Sequence, residues 1–87
     1  MKITAEMKKI LNKADVEISR DVYEEDNDYG DKAGDVSWPV WMNGRSISDP
    51  CGKRWIAQEE AMTLASTTLR NRGEAITPDM AAWLPRH

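Results

Sequence analysis

The stretch VSWPVWMNGRSI, residues 36–47, decides what kind of fold this chain can adopt. Apolar residues occupy every second position from Val36 to Met42, which is the periodicity of a β-strand. The dipeptide Asn43-Gly44 that follows is the strongest short signal for a tight hairpin turn, and residues 45–48 can return as the second strand. A single hairpin is only marginally stable in water, so we expect it to pack on helices.

Helical signals lie on both sides of this hairpin. Behind the N-cap candidate Thr4, apolar residues recur at spacings of three and four, as they do on one face of an amphipathic helix. Downstream, Asp49-Pro50 is typical of a helix start and Gly73 of a helix end, which predicts a long second helix that becomes regular near Lys53. Thr77-Pro78 then predicts a short last helix through Leu84.

Residues 15–23 fit two interpretations. Leu11, Ala14, Ile18 and Val22 keep helical spacing with no glycine or proline between them, which favours one long helix from near Thr4 to residue 23. The alternative is a helix that ends near Ala14, with Val16 and Ile18 alternating in a short strand. We expect the long helix.

The predicted fold class is therefore α+β, a single small domain over residues 1–87 with two or three helices packed on a short antiparallel β-hairpin. Hydrophobic residues make up 40% of the chain, which is enough for one compact core. We expect this core to contain Met7, Ile10, Leu11, Ala14, Ile18, Trp38, Val40, Ile47, Trp55, Ile56, Ala61, Leu64, Ala65, Leu69, Ile76, Met80 and Trp83.

The charge is distributed unevenly. The net charge is -3, yet residues 15–35 carry nine acidic groups against two basic ones, and residues 1–14 carry four lysines against one glutamate. Residues 24–35 are rich in charge and glycine and nearly free of apolar side chains, so they predict an acidic loop. Such a segment attracts basic surfaces and repels nucleic acid, although acidic runs often do no more than keep a chain soluble.

Few residues suit catalysis or metal binding. The one histidine is His87 at the chain end, and the one cysteine, Cys51, has no histidine or second cysteine to pair with. Residues 26–31 are acidic, but no register puts glycine at the sixth position and glutamate at the twelfth, as a calcium loop requires. We therefore expect no enzyme activity, no cofactor and no metal, in a reduced cytoplasmic protein without a membrane span.

The tryptophans are the more informative aromatic residues, since the chain has four of them and no phenylalanine. In an extended segment Trp38 and Trp41 lie on opposite faces, so a core-facing Trp38 leaves Trp41 facing outward. An exposed tryptophan beside a hairpin turn is a good interface anchor. The alternative is that the strand lies between two layers, or that a bulge at Pro39 turns both rings inward.

By exclusion, we expect a non-enzymatic protein that acts through protein–protein contact. Its partner would offer a basic surface of the kind that binds nucleic acid, so the chain would act as a small acidic inhibitor; in size and charge it is similar to accessory proteins of phages and mobile elements. The expected partner-binding residues are Glu24, Glu25, Asp26, Asp28, Asp31, Trp41 and Met42. The alternative is a small regulatory, nucleic-acid-associated protein that uses the Lys/Arg clusters on its helices.

Overall fold

The computed structural model of the chain describes residues 2–26, 32–47 and 52–84. Within these ranges three helices accompany two small antiparallel sheets, which confirms the small α+β fold. The helices are α1 (Ala5–Lys13), α2 (Arg54–Asn71) and α3 (Pro78–Ala81). The strands are β1 (Val16–Ile18), β2 (Asp21–Val22), β3 (Val36–Ser37), β4 (Val40–Met42) and β5 (Arg45–Ser46).

The two sheets share one pairing register. In the first sheet β4 lies between β1 and β5, and in the second sheet β2 pairs with β3. Glu17 lies opposite Trp41 and Asp21 opposite Ser37, and between these pairs the Ser19 N–H donates to the Pro39 carbonyl at 3.0 Å. Proline has no N–H to return that bond, so the ladder is interrupted there. Residues 15–23 and 35–43 therefore pair as the two antiparallel arms of one hairpin, which we call the long hairpin.

The expectation of a long first helix is wrong. Helix α1 ends at Lys13, and Asp15 adopts a φ of 58°, in the left-handed region that reverses a helix. Aspartate tolerates this region better than most residues, because its short polar side chain can bond locally. The next residues form β1, and their backbone bonds to β4 replace the helical ones. The alternative interpretation, a helix ending near Ala14 and then a short strand, is the one that the structure shows.

Several local signals elsewhere are confirmed, although α3 ends at Ala81 and not at the predicted Leu84. Asn43 and Gly44 both have positive φ, 52° and 78°, as the mirror-image two-residue turn between β4 and β5 requires. Helix α2 ends in a Schellman motif, because the Gly73 N–H donates to the Arg70 carbonyl and the Glu74 N–H to the Leu69 carbonyl, both at 3.0 Å. The predicted helix start at Asp49-Pro50 lies outside the described residues.

The core lies where α1 and α2 pack on β1 and β4. Of the expected core residues, nine are buried: Met7, Ile10, Leu11, Ala14, Val40, Ala61, Ala65, Leu69 and Met80. Ile18, Trp38, Leu64 and Trp83 are partly buried against this cluster, and Ile56 is partly buried. The buried core also contains residues that the sequence analysis left out: Val16, Ala57 and Met62.

Three expected core residues are wrong, because Ile47, Trp55 and Ile76 are exposed. Trp55 lies seven residues before Met62, so the helical period places both on one face of α2. Trp55 lies in the first turn of α2, whereas the buried residues of this helix begin at Ala57. The Trp55 side chain therefore stays 49% exposed. Ile47 follows the edge strand β5, and Ile76 lies in the connection between α2 and α3. Helical or strand spacing alone does not show where the opposing layer ends.

We expect Gly44→Val to lower the free energy of unfolding by about 1–3 kcal/mol, because a β-branched side chain tolerates positive φ poorly. Gly52→Val is the matched control. A new Cβ meets nothing within 4 Å at either glycine, and only Gly44 has a positive φ. Denaturant unfolding of both variants gives the comparison, and equal stabilities would contradict the assigned turn.

We expect Met62→Ala to cost about 2–5 kcal/mol, since Met62 is fully buried and its truncation leaves a cavity. Trp55→Ala removes a larger side chain but should cost under about 1 kcal/mol, because that ring is half exposed. Thermal unfolding followed by circular dichroism measures both. A Trp55→Ala variant that loses more stability than Met62→Ala would place Trp55 in the core after all.

Candidate functional site

The long hairpin has two chemically different faces. Directly paired residues of an antiparallel ladder point to the same side, and successive residues point to opposite sides. Val16 and Val40 are buried on the inner face, which packs on the helices. Glu17 and Asp21 therefore belong to the opposite, outer face, and both are exposed. The first arm of the long hairpin thus separates its buried Val16 from the exposed acids Glu17 and Asp21.

Trp41 lies on this outer face, opposite Glu17. The indole is partly buried, and its Nε1–H donates a hydrogen bond to the Ser19 Oγ on the neighbouring strand. Met42 is the next residue and points to the inner face, where it packs against the core. Strand alternation therefore separates these two expected partner-binding residues, with Trp41 on the outer face and Met42 on the inner face.

The acidic loop follows the distal end of the long hairpin. Glu24 and Glu25 are exposed and make no ion pair or hydrogen bond with the described part of the chain. The Asp26 carboxylate accepts a hydrogen bond from the Ala33 N–H at 2.8 Å and lies 3.9 Å from the Lys32 Nζ. Asp26 therefore helps to hold the loop, whereas the two glutamates present free charge to solvent.

Asp28 and Asp31, the other expected partner-binding acids, lie outside the described residues, as do Cys51 and His87. Of the acidic residues 26–31, only Asp26 lies within the described residues. Asp35 is described, and its carboxylate accepts a hydrogen bond from the Lys32 N–H at 3.0 Å. Asp35 thus stabilises the same loop from its other end.

Glu17 and Asp21 were not among the expected site residues. Both are exposed, and neither makes an ion pair with a cation in the ranges that the structure covers. A signal for them was present in the sequence, because apolar Val16, Ile18 and Val22 alternate with polar residues at period two. Together with Glu24 and Glu25 they form a set of four uncompensated carboxylates that we call the acidic face.

The basic residues that suggested nucleic-acid binding are spread over several surfaces. The Lys9 Nζ lies 3.5 Å from the Glu6 Oε1, and the Lys13 Nζ lies 2.8 Å from the Glu74 Oε2. Two of these cations are therefore paired with acids. Arg54 stacks over the Trp38 ring at 5.3 Å from its centroid, a cation–π distance. Lys9, Lys13 and Arg54 are therefore engaged in contacts with other residues of the chain.

No family model matches the chain, and no curated protein or solved structure is detectably similar to it. Across the described ranges, no helix combines the length and the apolar content that crossing a membrane requires. The same ranges contain no group of three or more His, Cys, Asp and Glu side chains placed to hold a metal ion. The arrangement of charges and aromatic rings on the long hairpin is the basis for a functional proposal.

We expect Ser19→Ala to release the Trp41 ring from its position on the outer face. The lost hydrogen bond should cost about 0.5–1.5 kcal/mol, and the Trp41 indole N–H should exchange faster with solvent. Hydrogen exchange followed by NMR measures this, with the exposed Trp55 indole as the internal reference. Unchanged exchange at Trp41 would show that the Ser19 hydroxyl does not hold the ring.

Proposed function

We propose that this protein is a non-enzymatic binding domain that occupies a basic, nucleic-acid-binding surface of a partner protein. In this role it acts as a small acidic inhibitor in the cytoplasm, of the type that phages and mobile elements use against nucleoprotein machinery. The observation that carries the proposal is the shared register of the long hairpin. It places Glu17 and Asp21 on the outer face, and the exposed Glu24 and Glu25 follow on the same arm of the chain.

The electrostatics of the acidic face support a basic partner. Four exposed carboxylates that form no ion pair with a described cation produce a negative field, and this field raises the association rate of a positively charged protein. Lysine and arginine side chains that bind phosphates also form charge-assisted hydrogen bonds with carboxylates. A phosphate-binding surface therefore offers hydrogen-bond donors to the carboxylates of the acidic face.

Trp41 supplies the apolar part of this surface. Its ring lies at the proximal end of the outer face, opposite Glu17, and its N–H is already satisfied by Ser19. A ring held in this way loses little conformational entropy when a partner covers it. Tryptophan is also among the residues that dominate binding energy at interfaces.

The alternative proposal is that the chain binds nucleic acid directly. Arg54 and Trp38 are stacked, and Lys8 lines the same surface depression, so two cations and an aromatic ring lie in one place. The acidic face opposes this alternative, since its field repels phosphates. Treatment of the captured complex with nuclease separates the two proposals.

The decisive variant neutralises the acidic face: Glu17→Gln, Asp21→Asn, Glu24→Gln and Glu25→Gln. We expect the partner captured from nuclease-treated lysate to associate about tenfold more slowly with this variant at about 20 mM salt. The difference should shrink at about 200 mM salt, because screening weakens electrostatic steering. Surface plasmon resonance measures both rates, and duplex DNA or RNA should compete for the same partner.

The matched control neutralises four acids away from the acidic face: Glu6→Gln, Glu59→Gln, Glu60→Gln and Asp79→Asn. It has the same net charge as the decisive variant and should keep the parent rate within about threefold. Equal rates for the two variants would mean that the partner senses net charge and not this face. Loss of capture after nuclease treatment would favour the nucleic-acid alternative.

A further inference from the structure

A groove of about 380 Å³ borders the free edge of β1. Its lining includes Val16, Glu17 and Ile18, three consecutive residues of that strand. Successive side chains on a strand point to opposite faces. Three consecutive residues can therefore line one groove only if the groove borders the backbone edge of the strand. Among the described residues, strand β1 pairs only with β4, so no described strand covers its other edge.

The open edge presents unpaired backbone groups. In the long hairpin the odd-numbered residues make the bonds across the pair, since the Ser19 N–H donates to the Pro39 carbonyl and the Tyr23 N–H to the Asp35 carbonyl. The N–H and C=O of Ile18 therefore point away from β4 and toward the groove. No backbone hydrogen bond joins Ile18 to another described residue on that side. An open edge of this kind is a template for one more strand.

The groove beside this edge suits an apolar side chain. Ile3 and Leu11 of the α1 region line it together with Trp38. Gln58 is 3% exposed and lines the same groove. The apolar part of this lining would contact an apolar side chain of an occupant.

We propose that the free edge of β1 binds an extended segment of a partner protein, in which apolar and basic residues alternate, as an added β-strand. This inference rests on the proposed function, since the basic residues belong to the partner of the acidic face. Residues opposite Ile18 would point into the groove, and residues opposite Glu17 would point to the outer face. Strand addition of this kind uses main-chain bonds for affinity and alternate side-chain contacts for specificity.

The charges around the groove select this alternation. Glu17 and Asp21 are exposed on the outer face, where opposite charges on neighbouring strands stabilise pairing. Lys8 and Arg54 line the inner side of the groove and repel basic residues there. A one-residue slip would bring the occupant's cations beside Lys8 and Arg54, so these two residues oppose the wrong register.

A second copy of this chain is a poor occupant of the same edge. Two-fold antiparallel pairing centred on Ser19 would set Glu17 of one copy opposite Asp21 of the other, at both ends of the contact. Centring the pair on Glu17 would set two glutamates against each other. Like charges directly opposite one another destabilise strand pairing, so the edge is protected from self-association.

A capped peptide in which lysine and valine alternate is the probe for this proposal. Its control has the same composition, with the lysines and valines grouped in two blocks. We expect the alternating peptide to bind at least about tenfold more tightly and to slow hydrogen exchange at the Ile18 amide by about tenfold or more. The Glu17 amide, which already faces β4, should change little. NMR titration and amide exchange measure these quantities.

A charge reversal sharpens the test. In a Glu17→Lys variant the preference should change, so that an alternating glutamate–valine peptide binds better than the lysine–valine peptide. Equal binding of the alternating and block peptides, or binding without slower exchange at Ile18, would overturn strand addition. That result would leave the proposed function intact. The proposed function has its own test, and it fails if nucleic acid does not compete for the captured partner. Absence of binding by the alternating peptide would also overturn strand addition.

Discussion

The antiparallel register between residues 15–23 and 35–43 is the constraint on which the rest of the structure depends. It places Val16 and Val40 against the helices and Glu17 on the outer side. A slip by one residue would exchange the two faces, and Glu17 would be buried beneath α1 and α2. Burying an unpaired carboxylate costs several kcal/mol, so the alternation of apolar and charged residues specifies this register strongly. Asp15 makes the pairing possible, because its left-handed φ ends α1 and reverses the chain.

The acidic face and the groove at the β1 edge are two results of that register. The same backbone turns carboxylates outward and leaves a groove with apolar and charged lining between the strand edge and α1. A partner that approaches the acidic face thus meets, within one strand width of about 4.8 Å, an edge with free hydrogen-bonding groups. Charge would govern the rate of encounter, and the edge would govern how long the complex lasts.

Signals that act over a few residues could be read from the sequence, such as the Asn43-Gly44 turn, the Thr4 cap and the Gly73 helix end. Residues 15–23 could not be assigned in this way, since Ile18 and Val22 fit a period of four as well as a period of two. Trp55 was misplaced because its helical phase matches the core face but it lies in the first turn of α2, before the buried part of this helix begins. Glu17 and Asp21 were missed because the period-two alternation that places them on one face was outweighed by the helical spacing of Ile18 and Val22. The partner role of Trp41 stays a prediction.

Pro39 divides the long hairpin into a proximal and a distal part that differ in burial. Proximal to it, Val16 and Val40 are buried, whereas distal to it Ser37 is buried but Val22 is 41% exposed. Segments with few buried contacts open at a lower free energy than the whole domain. Changes in loop length are also inexpensive, at about 0.6 kcal/mol for each doubling. The distal end is therefore where evolution can lengthen, shorten or recharge this protein while its core stays the same.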